Sequence, residues 1–191
     1  MEIDNNNNNY TKETEDILAS YALESECLYI VHEKNYIFYR KRGYYFTIPV
    51  IILTTMTGVL SFDKSIQSTS IGSYGIGTLN ILCGITSTVY KFLDYSKLEN
   101  QHRILAIEYL HLFEEIKGVL QKEPLNRPDG LLFIASVEKK RQELLDNFPI
   151  INEKIRKEFK KSHKTIDLPL RLNNIPKIHI YGRKETESEY V

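Results

Sequence analysis

Cysteine is scarce in this 191-residue sequence, and there is no excess of charge of either sign. The 25 Lys and Arg residues balance 25 Asp and Glu residues, so the composition does not favour nucleic acid as a partner. The two cysteines, Cys27 and Cys83, lie far apart, and no Cys or His spacing around them suits a metal ion. We therefore expect two free thiols, with no disulfide framework, no zinc site and no cofactor.

Groups for catalysis are also sparse. The spacing Glu-x-x-His, which di-iron helical bundles use for their ligands, occurs at Glu99–His102 and at Glu108–His111. The two copies lie nine residues apart, and nine steps of about 100° place them on opposite faces of one helix, where they cannot share a metal ion. The other histidines are isolated, at His32, His163 and His179. No nucleophile, base and orienting group can be assigned together, and we predict a protein that is not an enzyme.

Charge is absent from two long segments. The first, 43–62, has 20 residues without a charged side chain, and the second covers residues 65–90. As a helix that rises about 1.5 Å per residue, the first reaches about 30 Å, the thickness of the hydrocarbon core of a bilayer. Only Asp63 and Lys64 separate the two segments. The sequence therefore predicts a two-helix transmembrane hairpin over residues 43–95.

The second helix of this hairpin is predicted from about Tyr74 to Leu93. The letters "IGSYGIG" at its start neither follow a strand nor precede a basic phosphate ligand, so we interpret them as a flexible turn and not as a nucleotide loop. The alternative for both apolar segments is the core of a soluble bundle. A small soluble domain cannot cover a helix on every side, and neither segment offers a charged face, so the membrane interpretation is preferred.

Basic residues flank the predicted spans on one side only. Arg40, Lys41 and Arg42 precede the first span and Lys91 follows the second, whereas the connecting loop holds Lys64 beside an aspartate. Cytosolic segments of membrane proteins carry the excess of Lys and Arg. We therefore predict an integral, multi-pass membrane protein that has both termini in the cytosol and the lipid bilayer as its partner.

Small and polar residues form a stripe on each predicted span. The stripe residues are Thr54, Gly58 and Ser61 in the first span and Gly77, Asn80, Gly84 and Thr88 in the second. Lipid gives helices no hydrophobic reason to associate, so such stripes usually provide close backbone approach and polar contacts. We predict that they pack the helices and favour a homo-oligomer. A water-filled pore is the alternative, although the spans lack the ionisable residues typical of an ion path.

The sequence as a whole predicts an all-α fold, in which a membrane helical hairpin continues into a cytosolic helical bundle. The predicted organisation is a disordered Asn-rich N-terminus at 1–11, an amphipathic helix at 12–42, the transmembrane hairpin at 43–95, a cytosolic helical hairpin at 96–162 and an extended tail at 163–191. The basic run at 153–164 is either a solvated helix face or a surface for anionic lipid or an acidic partner.

Apolar spacing predicts which faces of the cytosolic helices are buried. Before the first span, the stripe consists of Ile17, Tyr21, Leu28, Val31 and Phe38, with Leu18, Ala22, Tyr29, Tyr36 and Tyr39 beside it. After the second span, it consists of Leu105, Tyr109, Leu112, Ile116 and Val119, on a helix that is expected to run on from the membrane to about Lys122. The letters "KEPLNRPDG" then end that helix. Asp129 is expected to cap the next helix, which is kinked or restarted at Pro149.

The order of these features resembles the SLATT group of two-span membrane proteins. The resemblance rests on an N-terminal helix with aromatic residues, the segment "YYFTIPVIILTTMTGVLSF", a glycine-rich loop, an Asn-bearing second span, a long continuing helix and the late letters "LLDNFPIINEKI". Bacterial members of that group are proposed to be pore-forming effectors that perturb membranes in nucleotide-signalled defence. Similar proteins occur in large DNA viruses, where a place in the virion membrane is implied, and in eukaryotes.

No nucleotide-binding or sensor domain is recognisable beside these features. We therefore expect a non-enzymatic structural or scaffolding anchor, whose cytosolic helices and C-terminal tail bind other proteins. An oligomeric pore-forming effector of the SLATT type is the alternative.

Overall fold

The computed structural model describes residues 10–163, of which 86% are helical and none is in a strand. The helices are α1 (Lys12–Leu60), α2 (Lys64–Gln67), α3 (Ser70–Leu93), α4 (Tyr95–Leu120), α5 (Gly130–Asp146) and α6 (Glu153–Ser162). The all-α prediction is confirmed. Most of the predicted N-terminal segment 1–11 and nearly all of the predicted tail 163–191 lie outside the described residues.

One helix, α1, covers both the predicted amphipathic helix and the predicted first span. Its first turn is capped by Thr11, whose hydroxyl accepts a hydrogen bond from the Thr14 amide at 3.2 Å. The predicted boundary at residue 42 lies inside this 49-residue helix, and so does Pro49. A single Gly43 costs a helix only about 1 kcal/mol, so it does not end the helix.

The connection between α1 and α3 is tighter than predicted. Asp63 caps the one-turn helix α2 by accepting a hydrogen bond from the Ser65 amide at 2.9 Å, and α3 begins already at Ser70. The prediction that "IGSYGIG" is a flexible turn is wrong, because these letters lie within α3. Gly72 permits the close approach of α3 to α2, since a Cβ atom there would lie 2.2 Å from the Ile66 carbonyl oxygen.

A single residue separates α3 from α4. Asp94 has φ 47° and ψ 40°, in the left-handed region that Asp tolerates better than most residues. The predicted helix that runs on from the second span is therefore interrupted at this point. It resumes at Tyr95 and ends at Leu120, two residues before the predicted end.

The bundle, which we define as residues 12–42 of α1 with α4, α5 and α6, has a packed core. The predicted α4 stripe is confirmed, because all five of its residues are buried. On α1 the predicted stripe is confirmed at Leu28 and Val31, whereas Tyr21 and Phe38 are half-buried and Ile17 is exposed; Leu18, predicted beside the stripe, is buried instead. The fully buried apolar and aromatic side chains of the core are Leu18, Leu28, Val31, Tyr109, Leu112, Ile116, Val137 and Phe159, and the polar His32, Asn35 and His102 are fully buried with them.

The cap of α5 and the break before α6 lie where the sequence predicts them. Asp129 caps α5 by accepting from the Leu132 amide at 3.0 Å, and the chain restarts as α6 after the segment that contains Pro149. The side-chain amide oxygen of Asn35 accepts from the Asn152 amide at 2.9 Å, which links α1 to the start of α6.

Two arginines join the α5 side of the bundle to α1. Arg127 pairs with Glu15 and also donates to the Leu120 carbonyl oxygen at 2.9 Å. Arg141 pairs with Glu24, and its guanidinium lies 3.9 Å from the ring centre of Tyr21. These contacts hold the loop after α4, and α5 itself, against the first half of α1.

Candidate functional site

The hairpin, which we define as residues 43–60 of α1 together with α3, exposes its apolar side chains. Only 11% of the most apolar 18-residue window of the α1 helix is buried, and for the window in α3 and α4 the share is 6%. Both helices are long and apolar enough to cross a membrane by length and composition. A core helix of a soluble domain passes the same test, but such a helix is mostly buried. The hairpin therefore differs from the core of a soluble domain, because other parts of the protein do not bury most of its helix surface.

The two hairpin helices are antiparallel and touch along one narrow line. At the end distant from the turn, a Cβ atom on Gly43 would lie 3.5 Å from the Tyr90 hydroxyl, and the rings of Phe46 and Tyr90 are 6.2 Å apart. Further along the contact, Thr57 and Cys83 are buried. Apolar side chains elsewhere on the two helices, such as Ile52, Val59, Ile81 and Ile85, are more than half exposed.

The predicted small-residue stripes lie outside this contact. Thr54, Gly58, Gly77, Asn80, Gly84 and Thr88 are exposed, and Ser61 is half-buried. Added Cβ atoms on Gly58, Gly77 and Gly84 would meet nothing within 4 Å. The structure therefore does not bring the stripes between the two helices of one chain. Contact between copies, or pore lining, stays a prediction.

The two stripes nevertheless share one side of the hairpin. Gly58 directly follows the buried Thr57, and Gly84 directly follows the buried Cys83. One residue is a turn of about 100° about the helix axis. Because α1 and α3 are antiparallel, an equal turn away from the face where they touch brings each stripe to the same side of the hairpin. Sequence spacing alone could not show this, since it does not fix which faces touch.

The predicted basic flank lies at one end of the hairpin, which we call the basic end. Arg40, Lys41 and Arg42 immediately precede Gly43, whose neighbour Tyr90 is followed by Lys91. The structure thus brings the four predicted residues to the same end of the hairpin. The aromatic residues Phe92 and Phe62 are 87% and 89% exposed, at the basic end and at the turn respectively.

A buried histidine pair in the bundle was missed by the sequence analysis, which described His32 as isolated. The Nδ1 atoms of His32 and His102 lie 2.8 Å apart. Tyr109 stacks on His32 at 5.7 Å between ring centres, and Tyr39 stacks on His102 at 5.4 Å. The helical spacing of His102 from Leu105 and Tyr109 on the predicted buried stripe was the signal that could have revealed it.

Burial keeps this pair neutral. Desolvation, together with the neighbouring imidazole, lowers the pKa of His32 to about 3, and desolvation lowers the pKa of His102 to about 4. One neutral ring therefore donates its Nδ1 proton to the other ring. In the described part of the chain, no cluster of three or more His, Cys, Asp or Glu side chains could hold a metal ion. His111, the other Glu-x-x-His histidine, is exposed on the opposite side of α4, as the helical spacing predicts.

Both thiols are free, as predicted. Cys27 is buried in the bundle, and desolvation raises its pKa to about 11, so it is protonated and unreactive at neutral pH. No protein-family model, no curated protein and no solved structure matches this chain. The resemblance to the SLATT group therefore stays a prediction.

Proposed function

We propose that this chain is an integral membrane protein, whose hairpin spans a bilayer and anchors a cytosolic, non-enzymatic scaffolding bundle. The observation that carries the proposal is the exposed apolar surface of the hairpin. In water, each buried Å² of apolar surface is worth about 25 cal/mol, so two uncovered apolar helices require a non-aqueous environment or a partner that covers them.

The hairpin also satisfies the other requirement of a lipid environment. Its 18 residues in α1 and 24 residues in α3 rise about 27 Å and 36 Å, which matches a hydrocarbon core of about 30 Å. Backbone hydrogen bonds are internal to the helices. Six threonine hydroxyls donate to carbonyl oxygens one turn back, for example Thr54 to Val50 at 2.7 Å and Thr88 to Gly84 at 2.8 Å. These hydroxyls are thereby paired without water.

The basic end supports an orientation with the bundle in the cytosol. From there α1 continues without a break into the bundle, and its residues 12–42 rise about 45 Å. A continuous helix holds the packed bundle at a fixed distance and angle from the membrane. That rigidity favours a platform for other proteins, which would bind through the cytosolic helices and the C-terminal tail.

Fractionation and topology mapping test this proposal. In a Cys27→Ala, Cys83→Ala background, single cysteines are placed in the turn (Ser68→Cys) and at the end of α6 (Ser162→Cys), both at exposed positions. We expect a membrane-impermeant maleimide to label only Ser68→Cys in spheroplasts, and both variants after permeabilisation. Protein that stays in the supernatant after high-speed centrifugation without detergent would overturn the proposal.

A pore-forming effector is the second candidate, and one observation favours it. Both small-residue stripes are uncovered and lie on one side of the hairpin, so a second copy can approach both together. If the stripes line an assembled pore, Gly84→Leu or Asn80→Leu abolishes the depolarisation of host cells that express the protein, while insertion remains. Ile85→Leu, exposed outside the stripe, is the matched control. Normal membrane potential with accumulated wild-type protein excludes this candidate and leaves the scaffold.

A further inference from the structure

An open cavity of about 620 Å³ lies where the bundle meets the hairpin. Tyr36, Arg40 and Tyr44 of α1 line one side, and residues between Asp94 and Arg103 line the other. Arg40 precedes the uncharged part of α1 by three residues, and Asp94 directly follows α3. In the proposed topology, this level is that of the lipid headgroups on the cytosolic side, so the inference rests on the proposed function.

The cavity lining carries charges of both signs. Its cations are Arg40, Lys97 and Arg103, and its carboxylates are Asp94 and Glu99. Among the residues that the structure describes, no ion pair within 4 Å joins any two of these five. Charges of both signs around one open cavity therefore remain available to a ligand that itself carries both signs.

Arg40 is held in place for such a ligand. Its Nη1 donates to the Tyr36 hydroxyl at 2.8 Å, and its Nε donates to the Tyr44 hydroxyl at 3.1 Å. A guanidinium has five N–H donors, so three remain beyond these two bonds. A fixed guanidinium loses little rotamer freedom when it binds a phosphate, and it can bind two phosphate oxygens at once.

The carboxylates distinguish between classes of headgroup. Asp94 and Glu99 can accept hydrogen bonds from a primary ammonium group, whereas a quaternary choline has no N–H to donate. A choline group would depend on open aromatic faces. The guanidinium carbon of Arg40 lies 5.8 Å and 5.7 Å from the ring centres of Tyr36 and Tyr44, so a choline group on either ring would stand beside a fixed positive charge.

We propose that this cavity binds the headgroup of an aminophospholipid, with its phosphate on Arg40 and Arg103 and its primary ammonium on Asp94 and Glu99. Bound lipid would fill the cavity between α1 and α4 and join the bundle to the membrane surface beside the break at Asp94. The same phosphate and ammonium chemistry occurs in soluble phosphoethanolamine, so the test must separate the two sources.

Native mass spectrometry of the detergent-purified full chain provides the test. We expect phosphatidylethanolamine to bind about tenfold more tightly than phosphatidylcholine with the same acyl chains, and Arg40→Gln to lower that affinity about tenfold. Arg42→Gln is the matched control, because Arg42 lies on the same helix, over Phe38 at 5.1 Å, and does not line the cavity. Asp94→Asn keeps a residue that tolerates the left-handed conformation, and it should reduce the preference for phosphatidylethanolamine over phosphatidylglycerol.

Several outcomes would overturn the proposal. These are equal binding of the ethanolamine and choline lipids, equal losses in Arg40→Gln and Arg42→Gln, and binding of soluble phosphoethanolamine as tightly as the lipid. A change of oligomer mass in Arg40→Gln with unchanged lipid binding would assign the cavity to a second copy of the chain. In all these cases the protein still fractionates with membranes, whereas failure of the proposed function would show as its absence from the membrane fraction.

Discussion

The hairpin and the bundle solve the same problem, the placement of apolar side chains, in opposite ways. In the bundle, Leu112 and Ile116 are 0% exposed, whereas Ile52 and Ile85 in the hairpin are 52% and 56% exposed. The helices of the two regions are continuous, or nearly so, through α1 and through the single residue Asp94. The fold alone therefore does not define the boundary between the two regions. The boundary is defined by the environment that the surface of each region requires.

Charge insertion should separate the two regions most strongly. We expect the double variant Ile52→Lys, Ile85→Lys to prevent membrane insertion, because a Lys near the centre of a span costs about 3 kcal/mol, or about 6 kcal/mol for two. The control is Leu131→Lys, Leu132→Lys, at exposed apolar positions of the bundle. The readout is the fraction that resists alkaline extraction. Equal loss in both double variants would remove the distinction between hairpin and bundle.

Truncation of apolar side chains should affect the bundle more than the hairpin, which is the opposite of the effect expected for charge insertion. Leu112→Ala leaves a cavity in the bundle and should lower the free energy of unfolding by about 2–5 kcal/mol. Leu82→Ala is the matched change at an exposed hairpin position, where no internal cavity forms within one chain. Thermal unfolding in micelles, followed by circular dichroism, measures both. A loss at Leu82 as large as that at Leu112 would mean that another protein surface covers the hairpin.

The sequence predicted the helices well and their contacts less well. The α4 stripe, the cap at Asp129 and the restart after Pro149 all follow from local chemistry, namely periodicity, side-chain capping and the missing proline amide. The continuity of α1 and the helical state of "IGSYGIG" depend on neighbours that are distant along the chain. The same is true of the His32–His102 pair, since the two residues are 70 positions apart.

Acidification should weaken the bundle and spare the hairpin. His32 and His102 have pKa values in the fold below their ordinary value of about 6.5, so the unfolded chain binds protons first as the pH falls. The contribution of the neutral pair to stability is therefore complete above about pH 6.5. It is lost as the pH falls from there towards the pKa values of the folded state. Between pH 7.5 and 5.5 the two groups together should cost about 2.5 kcal/mol. The hairpin, free of Asp, Glu and His within residues 43–60 and 70–93, should not respond.

The pH prediction is checked by thermal unfolding of the bundle at the two pH values. The double variant His32→Leu, His102→Leu should lose most of the dependence, while His111→Gln, on the exposed side of α4, should keep it. An unchanged pH dependence in the double variant would show that carboxylates and not the buried pair are responsible.

The smallest expected effect concerns the turn that closes the hairpin. Gly72→Ala places a methyl group 2.2 Å from the Ile66 carbonyl oxygen, so α2 and α3 must separate, and we expect a loss of about 1–2 kcal/mol. Gly75→Ala is the matched control, because an added Cβ atom there meets nothing within 4 Å and alanine favours the helix. Thermal unfolding in micelles compares the two variants. Similar stability of both would mean that the turn is loose and that the membrane alone, without the packed turn, holds the two helices together.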